Sequence, residues 1–159
     1  MKHLFLCVVA LSTFTVSCKK SGSTTVSSIP ANGWKLGTVS YTTALSTRTG
    51  TNLLSAFDGI PSGSNPSVNN LEVYFSALPT AGGTFHIVHY PAASLASNEV
   101  GIGAGLYATS TTYLTTGTDA IDATVTIASG KITVSIPSVW VKSTSGTDSL
   151  KLTGTLVEQ

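Results

Sequence analysis

The feature that most narrows the fold is a mirror pattern centred on Ser129 and Gly130: residues 124–135, TVTIASGKITVS, read almost alike in side-chain type from either end. Folding the run at a two-residue Ser129-Gly130 turn sets Ala128 opposite Lys131, Ile127 opposite Ile132, Thr126 opposite Thr133 and Val125 opposite Val134. Apolar then meets apolar and threonine meets threonine, the pairing that stabilises adjacent antiparallel strands. A one-residue slip would set Ile127 against Thr133 or Lys131, so the pattern specifies its own register. A second hairpin is expected downstream, with its loop around residues 144–147, Val141 opposite Leu150 and Val139 opposite Leu152; Trp140, Lys142 and Lys151 then share the other face. Between the hairpins the inward parity changes from Ile132, Val134 and Ile136 to Val139 and Val141, with Pro137 and Ser138 at the change. Proline cannot donate to a ladder, so a bulge or bend is expected there.

The rest of the chain has the same texture. Residues 34–43 read as strand, and residues 69–77 alternate Leu71, Val73 and Phe75 against Glu72, Tyr74 and Ser76. The turn-forming ALPTAGG leads into TFHIVHY, with Phe85 and Ile87 on one face and His86 and Val88 on the other. Residues 58–67, DGIPSGSNPS, read as loop. Serine and threonine supply roughly three residues in ten, which suits strands and turns better than helices. One short helix at most is expected, at PAASLASN, residues 91–98. The expected fold is all-β: an antiparallel two-sheet β-sandwich, with a small β-barrel as the alternative.

The amino terminus states an address. Lys2 and His3 precede the mostly apolar LFLCVVALSTFTVS, too short to span a bilayer and patterned like a signal peptide. Cys18 ends that run, and KKSGSTTVSS follows as a polar tether. The expected organisation is a signal peptide over residues 1–17, a lipidated Cys18 with a flexible tether over 18–32, and one domain over 33–159. With Cys7 in the leader and Cys18 carrying lipid, the domain has no thiol for a disulfide or a cysteine-ligated metal. Residues 18–159 carry seven Lys and Arg against seven Asp and Glu, without the clustered basic charge that nucleic acid requires.

Catalytic chemistry finds little to work with. His86 and His89 are three apart on an expected strand and point to opposite faces, so they cannot share a metal without a bulge, and His89 is expected at the core edge beside Phe85 and Ile87. Gly101, Gly103 and Gly105 lack the spacing of a nucleotide loop; a strand bend or a closely crossing segment explains them better. Asp119 and Asp122 read as a solvated loop pair rather than a calcium site. No G-x-S-x-G elbow occurs, and no spacing selects two of Asp58, Glu72, Glu99, Asp119 and Asp122 as a hydrolytic pair. The expectation is a chain without catalytic residues, metal or cofactor.

The lipobox-like Thr15-Val16-Ser17-Cys18, the Ser/Thr tether, the Gly33-Trp34 opening, LPTAGGTF and the closing GKITVSIPSVWVKSTSGTDSLKLTGTLVEQ together resemble the small β-rich lipoproteins of Bacteroidota. The resemblance implies an acylated Cys18 and a cell-envelope location at the outer membrane, with the membrane side left open, and it carries over no catalytic residue. Two functional classes are then expected: a module binding a glycan or an envelope protein, or a structural or accessory subunit of a membrane complex. For the first, Trp140 flanked by Lys142 and Lys151 is the foremost candidate ligand site.

Overall fold

The computed structural model describes residues 31–63 and 67–159. Cys18, the leader and nearly all of the tether lie outside the described residues.

The mirror pattern forms as expected. β9 (Asp122–Ala128) and β10 (Lys131–Ser143) pair with Ile127 opposite Ile132 and Val125 opposite Val134. Both turn residues, Ser129 and Gly130, adopt positive φ, as a two-residue hairpin turn matched to strand twist requires. β10 then pairs with β11 (Ser149–Val157), Val139 opposite Leu152 and Val141 opposite Leu150, and the register shifts between Ile136 and Val139. The expected bulge at Pro137 and Ser138 is therefore present, and it keeps Ile136, Val139 and Val141 all buried despite their change of parity.

The segment expected as one strand over residues 34–43 is instead a tight hairpin, β1 (Gly33–Leu36) and β2 (Val39–Thr42). Gly37, at φ 59°, makes the reversal, and its N–H donates to Lys151 O at 2.8 Å. β-Branched and aromatic residues on either side of one permissive glycine do not distinguish a strand from a short hairpin. β3 (Leu45–Thr49), β4 (Leu53–Phe57) and β5 (Asn70–Phe75) follow as a meander, with Leu71, Val73 and Phe75 buried as the alternation requires.

β6 (Gly83–Ile87), β7 (Glu99–Leu106) and β8 (Thr111–Thr115) complete eleven strands in one sheet. The order is β2-β1-β11-β10-β9-β6-β7-β5-β4-β3, with β8 pairing both β10 and β7. The sheet is mixed, which corrects the purely antiparallel expectation: β6 and β7 run parallel, His86 opposite Glu99 and Ile87 opposite Val100. Residues 88–98 make the crossover that a parallel pair needs. They contain the expected helix, yet no helix occurs among the described residues. Serine and asparagine favour turn hydrogen bonds, and this segment is held outward: Tyr90 N–H donates to Thr115 O at 2.9 Å, and Ala96 N–H to Glu99 Oε2 at 2.9 Å.

One core joins the strands. Trp34, Leu54, Leu71, Phe75, Ile102, Ile132, Val141 and Leu156 belong to it, and Trp34 stacks on Tyr41 with ring centroids 5.2 Å apart. β3 reaches β11 through side chains: the Ser46 hydroxyl donates to Val157 O, and Arg48 donates to Glu158 and to Gly130 O. A second joint lies where β6 ends and β8 begins along the same edge of β7. There the buried Thr115 hydroxyl donates to Val88 O at 2.6 Å and accepts from Ile102 N–H at 3.2 Å, supplying a bond that no strand provides.

Candidate functional site

The face of β10 turned from the core carries Trp140 and Lys142, and Lys151 stands opposite Trp140 on β11. The sequence places all three on one face, and the structure shows that face exposed and brings Trp140 and Lys151 into contact. Trp140 is 39% exposed, and Lys151 Nζ sits 4.7 Å from the centre of its ring, within the range of a cation–π attraction. On its other edge β10 has no strand partner between Ser135, which pairs with β9, and Val141, which pairs with β8, and the β8–β9 connection fills the place. Trp140 N–H donates to Asp119 Oδ2 at 3.0 Å, and Thr116 N–H donates to Trp140 O at 3.3 Å. The indole therefore projects from a backbone bonded on both edges, which favours a fixed orientation.

Lys142, two residues on, is opposite Leu114 of β8. It lines a cleft of about 350 Å³ together with Leu114, Thr116, His89, Tyr90 and Pro91. Tyr90 is the far wall. Its ring stacks on Tyr74, centroids 4.2 Å apart and planes 17° from parallel. It can lie this low because β7 carries glycine beneath it: a Cβ at Gly101 would stand 2.7 Å from Tyr90 Cγ, and one at Gly103 would stand 3.0 Å from Leu114 Cδ2. The close crossing expected over these glycines is thus made by Tyr90 and Leu114. Behind Tyr90 lies a second cleft of about 310 Å³, lined by Asn52, Tyr74, Ser76, Tyr90, Ala92 and Leu95. One tyrosine ring separates the two.

The Tyr74 hydroxyl donates to the Glu72 carboxylate. Partial burial, then the Glu72 acceptor and its negative charge, hold the Tyr74 phenol well above its ordinary range. Burial and Glu72 raise Tyr90 as well. Both phenols are neutral near pH 7 and serve as hydrogen-bonding aromatic surface.

Other candidates disperse. His86 Nδ1 lies 3.0 Å from Asp122 Oδ1 at an exposed position. His89 stands beyond the end of β6, exposed and lining the first cleft, which corrects its expected core-edge position; the strand stops at Ile87, so its alternation does not extend to residue 89. Asp119 and Asp122 have separate tasks, on Trp140 N–H and on His86. Among the described residues no three His, Cys, Asp or Glu side chains gather as metal ligands.

Sequence reasoning named Trp140, Lys142 and Lys151 but did not assemble Tyr90, Tyr74 and Leu114 with them. The available signal was the glycine at every second residue of β7, which marks one face of that strand as a bed without saying what lies in it. The chain matches no protein-family model, no curated protein and no solved structure.

Proposed function

We propose that this chain is a lipid-anchored module of the cell envelope, held at Cys18, that binds an oligosaccharide on its Trp140–Tyr90 face. In this reading the long sheet folds over its core as the two layers of a sandwich, and the binding face lies on the outside of that framework. The observation that carries the reading is an exposed indole two residues along β10 from Lys142, which lines a cleft of about 350 Å³ together with Tyr90, Leu114, Pro91 and Thr116. Sugar rings offer apolar C–H faces and a rim of hydroxyls. Aromatic side chains with a few directed polar groups answer both. Trp140, Lys142 and Leu114 are presented from strands, which favours a preformed site.

The test is a glycan array probed with the full chain in detergent. Trp140→Ala is expected to lower the signal at least tenfold with unchanged thermal melting, and Tyr90→Ala to lower it at least tenfold; an array without signal sinks the binding reading. Mass spectrometry of the native protein tests the anchor separately. An acyl group on Cys18, and release from membranes in Cys18→Ser, are the expected results.

An accessory subunit is the second reading. It is favoured by the side chain of Val39, 51% exposed on β2, the strand at one end of the described order. Crosslinking in intact cells that captures one stoichiometric protein at β2, with a silent array, would favour it.

A further inference from the structure

Resting on the oligosaccharide reading, we infer that the ligand is anionic, an oligosaccharide bearing carboxylate or sulfate groups that Lys142 and Lys151 receive. The register carries this. Trp140 is opposite Lys151 and Lys142 is opposite Ser149, so the two lysines are diagonal neighbours across β10 and β11. Diagonal Cα atoms lie about 7–8 Å apart, a distance comparable with the width of one or two sugar rings. Both side chains are exposed on the face of the indole, and among the described residues neither makes an ion pair.

Of the acids nearby, Asp119 accepts from Trp140 N–H, Glu72 accepts from Tyr74, and Asp148 is exposed beside Ser149. Elsewhere in the domain Arg48 is tied to Glu158, whereas Lys142 lines the cleft without a carboxylate partner and His89 adds a further nitrogen base to the same walls. An unpaired ammonium at a cleft wall is strongly hydrated and compact, and an anionic oxygen replaces that water with a charge-assisted hydrogen bond. A neutral sugar would make the aromatic contacts and leave this interaction unmade. The Lys151 ammonium over the indole extends the positive field along the path a chain would take from Trp140 to the cleft.

The experiment prints matched pairs on one array, uronate oligosaccharides beside their methyl esters and sulfated ones beside their desulfated forms, and probes it with the full chain in detergent. Acidic members are expected to bind at least tenfold more tightly than their neutral partners, with the gap narrowing as salt rises. Lys142→Gln should bring the two within about twofold and melt like the parent. Preference for uronates over sulfates, or the reverse, names the anion. Equal binding within pairs, or a gap that survives Lys142→Gln and Lys151→Gln, overturns the anionic ligand and leaves the oligosaccharide reading standing. Silence across the whole array overturns both.

Discussion

The meander β9–β11 and the junction of β6, β7 and β8 are spun from the same stock of Val, Ile, Thr and Gly, yet they hold together differently. In the meander each strand follows its partner in sequence. Ladder bonds and matched side chains do the work, and Ile132, Val134, Val141, Leu152 and Leu156 fill one face. At the junction β7 and β8 form a hairpin, but β6 joins β7 as a parallel neighbour across a crossover, and the gap in the ladder between β6 and β8 is closed by the hydroxyl of Thr115. Local pairing needs only the right alternation. Distant pairing needs individual groups placed one at a time, and it is the distant region that forms the clefts.

This contrast can be broken from either side. The largest effect is expected in the meander: Ile132→Ala, at a fully buried position, should cost about 2–5 kcal/mol by chemical denaturation, as removal of a packed aliphatic side chain does. At the junction Thr115→Val keeps the shape but orphans Ile102 N–H and Val88 O. A loss of about 1–3 kcal/mol is expected, with Thr115→Ser recovering most of it. If Thr115→Val were neutral, the hydroxyl would not be what closes the gap.

Gly101→Ala sharpens the comparison, because the glycine bed exists only in the junction. The added methyl must displace Tyr90, at a cost of about 1–3 kcal/mol for overpacking. It should also reduce glycan binding more than an equally destabilising change in the meander. The smallest effect concerns the seam between β3 and the carboxy terminus. Arg48 beside Glu158, and then the Ile132 N–H, hold that carboxyl below its usual range. A carboxyl with a lowered folded-state pKa stabilises above its unfolded value and loses that contribution as pH falls through the folded one. Melting temperature should therefore drop slightly more between pH 5 and pH 3 in the parent than in Glu158→Gln. The Arg48 side chain is 41% exposed and solvent screens the pair, so the difference will be small.

Much of the fold was legible in residue order. Both carboxy-terminal hairpins, their registers, the bulge at Pro137 and the placement of Trp140, Lys142 and Lys151 on one face follow from period-two alternation and one proline. The β1–β2 hairpin was read as a single strand because a lone glycine in a β-rich run marks either a turn or a pause. The parallel β6–β7 pair and the non-helical crossover could not be read, since neither leaves a periodic mark.

What the sequence determined by itself is the all-β character and the face on which each side chain of the meander stands, because strand geometry turns alternate residues to opposite sides wherever the strand lies. Only the tertiary structure decided that Tyr90 lies on the glycines of β7, that it stacks on Tyr74, and that it faces Lys142 across a cleft. Those contacts join residues far apart in the chain, and proximity of that kind is set by the order in which the strands pair rather than by any local preference.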